Sequence, residues 1–170
     1  MTRLDRLESR HHIEALVSNY CHGFDKRDYE RFLSIWWDDC VWKIGPPFGD
    51  FAGHEGIHEA IHEVLWPAWA QSQHVTSNLV VEFIGPDAAN GLCDVDCMGL
   101  LTDSTEATFV GATYKDSFAR RDGIWRISER EVTTIISTNS RVRHLVPREG
   151  SPALKNRKPN VAKQPQHMRG

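Results

Sequence analysis

At residue 74 the hydrophobic pattern of this chain changes period, and that change limits the folds open to it. Upstream, apolar residues recur every three or four positions. Ile13, Leu16, Val17, Tyr20 and Phe24 form one stripe and predict an amphipathic helix over residues 4–24. A second short helix is predicted over Tyr29 to Trp36, with Tyr29, Phe32, Leu33 and Trp36 on one side and Asp28 as its cap. CVWKI at 40–44 reads as a short strand and GPPFGD as a loop. A third helix is predicted from about His54 to Trp66, with Ile57, Ile61, Val64 and Leu65 inward. It should stop at Pro67, because proline disfavours helix in the residue before it. Downstream, HVTSNLVVEFIG (74–85) reads as strand, and GLCDVDCMGLLTD (91–103) alternates apolar and polar residues. ATFVGATYKDSFARRDGIWRISEREVTTII (107–136) reads as two long strands joined at RRDG, a hairpin signal. Helices first and antiparallel strands afterwards predict an α+β fold rather than a parallel sheet.

The length, 170 residues, suits one domain with a sizeable core. The composition, 40% hydrophobic and 25% charged, is that of a soluble globular protein, and no apolar run approaches the ~18 residues of a membrane span. The opening MTRLDRLESR is too polar for a signal peptide, so the expected compartment is cytoplasmic. The one predicted boundary follows residue 146. Residues 147–170 form a basic, Pro- and Lys-rich tail with six Lys or Arg and one Glu, a charge of +5. The net charge of the chain is −3, which leaves −8 on the body. Such a tail is expected to dock on a subunit surface. Coulomb attraction between exposed groups is weak, so apolar anchors must help, with Val142, Leu145, Val146, Leu154 and Val161 as candidates.

Several chemistries are excluded. No P-loop, G-x-S-x-G or G-x-G-x-x-G occurs, and basic residues are not interleaved with aromatics as a nucleic-acid platform requires. Cys21, Cys40, Cys93 and Cys97 lack CxxC spacing. Cys93 and Cys97 on one strand would lie about 13 Å apart, too far for a disulfide. All four read as reduced core or cavity-lining thiols. The segment HEGIHEAIHE matches H-E-x-x-H twice, through His54, His58 and His62. His54 and His62 are ~12 Å apart along a helix axis, so at most two of the three share an ion. The glutamates point away from the apolar stripe and the histidines flank it, the pattern of a surface helix. No metal site is expected there.

A carboxylate at Asp25, directly beside the stripe that α-helical spacing buries, needs a reason, since a buried charge is costly unless paired. Either it caps the next helix in solvent or a partner waits elsewhere. His74 stands where the helical half gives way to the sheet, just after VLWPAW. A carboxylate that fixes an imidazole makes its free nitrogen a competent base.

The segments LDRLESR (4–10), DKR (25–27), SIWWDD (34–39), VLWP (64–67), SNLVVEF (77–83) and RRDGIWRIS (120–128) carry a resemblance. The chain resembles SnoaL-like members of the nuclear-transport-factor-2-like superfamily, the dehydrochlorinases and dehydratases among them. The resemblance covers about residues 4–135 and implies a cone-shaped, cystatin-like barrel: helices packed on a curved antiparallel sheet around one deep pocket. It places the family's catalytic pair on Asp25 and His74 and its active-site arginine on Arg130. Trp42, Leu65 and Trp69 fall on pocket positions, and Val95, Cys97 and Val110 are taken as further substrate-binding residues. Where the dehydrochlorinases carry a lysine five residues before the aspartate, this chain has Tyr20, as a dehydratase of the fold does. A phenol suits a leaving hydroxide or an enolate, whereas lysine better suits a halide.

The expected activity is therefore that of a cofactor-independent lyase acting on a small apolar cyclic substrate. His74, Asp25, Tyr20 and Arg130 are its catalytic candidates, and a homotrimer is its implied assembly. The same base would serve an isomerase or polyketide cyclase. A non-catalytic small subunit of a ring-hydroxylating dioxygenase is the other alternative. Asp94 and Asp96 are expected on the outer face of their strand, with entry of one into the pocket left open.

Overall fold

The structure, a computed structural model, describes residues 1–141, with side chains through residue 139. The boundary at residue 146, the basic tail and its candidate anchors lie outside the described residues.

Helix α1 spans Arg3–Asp25, with Thr2 as its N-cap, and buries Ile13, Leu16, Val17, Tyr20, Cys21 and Phe24. Asp28, not Asp25, caps α2 (Tyr29–Ser34) by accepting the Arg31 backbone N–H at 3.1 Å. The predicted second helix ends two residues early. Trp36 already belongs to strand β1 (Trp36–Gly45), where its side chain is fully buried. An apolar stripe at helical spacing cannot tell a last helical turn from the inward residue of a following strand. The expected GPPFGD loop turns the chain into β2 (Gly49–Ala52), which pairs back on β1.

The third helix also departs from expectation. An α-helix, α3 (Gly53–Glu59), passes into a π-helical turn over Ala60–Leu65, then into a short α4 (Trp66–Ala68). The helix runs on past Pro67, whose ring is tolerated at a first-turn position. Wide π-turns re-aim the side chains that follow them. Here Ile61, Leu65 and Trp66 are all buried against the core.

Four long strands follow: β3 (Trp69–Phe83), β4 (Ala88–Leu101), β5 (Glu106–Arg121) and β6 (Ile124–Arg141). The β5–β6 hairpin closes at Asp122–Gly123, both at positive φ (52° and 81°), as a tight two-residue turn requires. The sheet order is β2-β1-β6-β5-β4-β3. All neighbours are antiparallel except β1 and β6, which run parallel. The α+β architecture is as expected, but the sheet is curved and open rather than a closed barrel. Its concave side packs on α1 and α2. On β4, Cys93, Val95 and Cys97 point inward, while Leu92, Asp94, Asp96 and Met98 point outward. Asp94 accepts from Asn78 and Thr113 on that outer face. No helix among the described residues is long and apolar enough to cross a membrane.

Candidate active site

Two hydrogen bonds hold the C-terminal end of α1 against the corner that leads into β3. The Trp66 indole N–H donates to the Phe24 carbonyl at 3.1 Å. Arg27, in a left-handed conformation (φ 54°), donates to the carbonyls of Trp66 at 3.2 Å and Trp69 at 2.6 Å. These contacts bring the last residue of α1 beside the first inward residues of β3. Asp25 there accepts three hydrogen bonds: from Ser72 Oγ at 2.8 Å, from the His74 backbone N–H at 2.7 Å, and from the His74 ring Nδ1 at 2.7 Å. The Asp25 side chain is 5% exposed and that of His74 is 8%. Burial pushes the Asp25 carboxyl upward, but the hydrogen bonds and charge of His74, with Ser72, outweigh it and hold the group below its usual range. An ionised carboxylate only accepts, so Nδ1 carries a proton in either state of the ring, and in the neutral imidazole Nε2 is the nitrogen with the free lone pair.

His74 lines a cavity of about 440 Å³ between the concave sheet and the helices. Tyr20, Trp42, Leu65, Trp69, Val95, Cys97 and Val110, each a sequence-predicted site residue, line it too. Pro46, Pro47 and Phe48 of the β1–β2 turn, with Ser137 and Asn139 of β6, lie at its exposed rim. Asp25 stands behind His74. It lines a separate polar recess with Lys26, Arg27, Gln71 and Ser72. Cys97 meets the cavity as a neutral wall, because burial pushes its thiol up to about 12. The four cysteines are all buried and free.

Arg130 is among the most buried residues, at 0% exposure, and does not line the cavity. Its guanidinium makes a bidentate pair with Asp116, both contacts 2.7 Å, while Nη1 has no hydrogen-bond partner. Burial works against the charge, yet the Asp116 carboxylate more than compensates and holds Arg130 protonated. The guanidinium carbon lies 4.2 Å from the centre of the Tyr20 ring and 4.1 Å from that of Tyr114. Those two rings meet edge to face at 5.4 Å. Burial raises the Tyr20 hydroxyl well above its usual range, and the Arg130 charge and a hydrogen bond from Tyr114 oppose this. Burial raises Tyr114 as well. Both phenols are thus neutral donors at any working pH.

Tyr114 is a cavity residue that sequence reasoning missed. The available signal was register: with Val110 predicted inward, a strand places Ala112 and Tyr114 on the same face. The histidine stripe sits apart from the cavity. His54 Nε2 lies 3.2 Å from the Trp36 carbonyl, and His58 and His62 stack with Tyr29. Among the described residues, no three His, Cys, Asp or Glu side chains converge as metal ligands.

Helices packed on a curved, open sheet around one cavity fit a known class, and the chain belongs to it: it is a member of the SnoaL-like domain family, whose profile matches residues 5–131. Among individual proteins, hexachlorocyclohexane dehydrochlorinase 1 of Sphingobium indicum is 40% identical over 129 residues, covering 76% of this chain and 83% of that protein. The crystal structure of a type 2 hexachlorocyclohexane dehydrochlorinase superposes with a TM-score of 0.81 at 37% identity, over 86% of this chain and 99% of that one. A scytalone dehydratase-like protein of Novosphingobium aromaticivorans shares the fold, with a TM-score of 0.74 at 22% identity over 84% and 94% of the two chains. The curated relatives are dehydrochlorinases, enzymes of the lyase class, and this chain is an enzyme of that class.

Proposed function

We propose that the chain is a cofactor-independent lyase in which His74 removes a carbon-bound proton from a small, apolar, cyclic substrate. The observation that carries this reading is the clamp on the imidazole. Asp25 takes both the backbone N–H and the ring Nδ1 of His74, and only Nε2 is left for the apolar cavity. In the step, Nε2 accepts the proton, the C–H electron pair becomes a new carbon–carbon double bond, and the neighbouring substituent departs with its own bonding pair. Asp25 stabilises the imidazolium that forms. Tyr20, on the cavity wall, donates a hydrogen bond to the developing negative oxygen, and Arg130 supports it from beneath. The imidazolium then returns its proton to the departing group. Trp42, Leu65, Trp69, Val95, Cys97 and Val110 hold the ring by apolar contact.

The named relatives act on hexachlorocyclohexane, but Tyr20 favours a leaving hydroxide over chloride. Cyclic hydroxy ketones, followed by appearance of the conjugated product, and γ-hexachlorocyclohexane, followed by chloride release, are the substrates to compare. Turnover is expected with the former. His74→Gln should keep the fold and lose activity on the order of 10²–10⁴-fold. Undiminished turnover in that variant would place the base elsewhere, and a shifted rather than eliminated double bond would make the enzyme an isomerase.

We further propose that the protein is a homotrimer, the assembly that resemblance implies. Supporting it, Val75, Met98, Phe109 and Ile136 are exposed on the convex sheet face, where Val75 and Ile136 share one cross-strand row.

A further inference from the structure

The cavity ends on two phenols and a charge rather than on one tyrosine. Tyr20 comes from α1 and Tyr114 from β5, and both line the cavity. Arg130 lies beneath them, 4.2 and 4.1 Å from the two ring centres, and is fixed there by Asp116. Its side chain reaches neither solvent nor cavity. Whatever Arg130 does for a substrate, it does through the tyrosine rings. A cation held against a phenol ring draws electron density from it, and the O–H becomes a stronger donor. Cys97 and Thr108 also line the cavity, but the thiol is a poor donor and the Thr108 hydroxyl already donates to Asn139 at 2.9 Å. Of the two phenols, Tyr114 donates to the Tyr20 oxygen, which leaves the Tyr20 O–H free for the cavity. A site built from neutral donors with a cation behind them is matched to an oxygen that gains charge during reaction. It is poorly matched to a halide, which lacks the directional lone pairs that a hydroxyl reads.

We propose that Tyr20 and Tyr114 together form an oxygen site, with Arg130 as its positioning residue, and that the substrate is a ring bearing a carbonyl next to the carbon that His74 deprotonates. This rests on the lyase reading above. When Nε2 takes the proton, the C–H pair moves to form the enolate double bond and the carbonyl π pair moves onto oxygen. Tyr20 holds that oxygen by a hydrogen bond, Tyr114 strengthens it by donating to the Tyr20 oxygen, and neither phenol gives up its proton. Collapse of the enolate restores the carbonyl and expels the β-substituent, which leaves with the proton from His74.

Neutral 2-naphthol and its anion imitate the carbonyl and the enolate, so the ionisation of bound 2-naphthol, followed by absorbance, tests the site without turnover. The wild-type protein should bind it and favour the naphtholate. Tyr20→Phe should lower the bound naphtholate-to-naphthol ratio about tenfold, the effect of one hydrogen bond to a charged group, and Tyr114→Phe, which acts through Tyr20, should lower it by less. Naphthalene, without the hydroxyl, should bind all three proteins equally. A ratio that Tyr114→Phe leaves unchanged overturns the proposal, as does a wild-type protein that fails to bind 2-naphthol or binds it without favouring the anion. Arg130→Lys keeps the charge for Asp116 but not the planar stack, and should lower the ratio. A ratio unaltered there removes Arg130 from the assignment. The His74→Gln variant separates this proposal from the lyase reading. Turnover retained in His74→Gln with the phenol dependence intact refutes the base and spares the oxygen site.

Discussion

Asp25 accepts three hydrogen bonds inside a wall that is 5% exposed, and a proton on either oxygen would disrupt them. Its carboxyl is held below the usual range, which ties stability to pH with a definite sign. The group binds its proton more readily unfolded than folded. Its contribution is therefore complete above the ordinary carboxylate range, about pH 4, and is lost as pH falls through the lower folded value. Asp25→Asn should flatten the acid limb of a stability-against-pH curve below about pH 4. It should also cut activity on the order of 10²–10⁴-fold, since an amide presents a donor where His74 needs an acceptor. An acid limb of unchanged steepness would assign acid sensitivity to other carboxylates. An acid beside a buried stripe raised the question of a partner, and the resemblance to a known family put His74 in that place. Burial depth was not legible: Arg130 belonged with the site by position, yet only the packed structure shows it beneath the cavity floor, paired to Asp116.

Gly23 is where one element dictates another. A Cβ there would meet Phe32 of α2 at 2.8 Å from its backbone nitrogen and 2.9 Å from its Cα, and neither atom belongs to a side chain that can swing away. Helix α2 thus lies against α1 two residues before Asp25, and the DKR corner is folded tightly enough for Arg27 to reach the carbonyls of Trp66 and Trp69. On helix propensity alone, Gly23→Ala would stabilise the protein by about 1 kcal/mol. Overpacking reverses the sign and costs about 1–3 kcal/mol. A lowered Tm and reduced activity are expected from thermal denaturation and assay of the variant, and a raised Tm would show that α2 has room to move. At this scale the sequence located the elements better than their ends. Two-residue periodicity and RRDG announced the long strands. Trp36, buried in a strand, could not be told from a helical residue, and nothing in HEGIHEAIHEVLWP distinguishes a π-turn from an α-turn, since both satisfy the same apolar spacing.

For the molecule as a whole, the open question is what meets the convex face and the basic tail. If three copies associate there, a chain truncated before Pro147 should show weaker assembly in light scattering, with its difference from the full-length protein shrinking at high salt as charge attraction is screened. A full-length protein that is monomeric at micromolar concentration in both low and high salt would rule out the trimer. The fold also divides its labour between parts. The base is set by the end of α1 and two residues of β3. Apart from Tyr20 and Phe24 of α1 and Trp69 of β3, the cavity walls come from β1, the β1–β2 turn, the π-turn, β4, β5 and β6. One carboxylate holds both the backbone and the ring of His74, so the aim of the imidazole needs no help from those walls. A lineage built on this plan can therefore exchange its wall residues one at a time, and drift from one ring compound to another, while inheriting its proton chemistry unchanged.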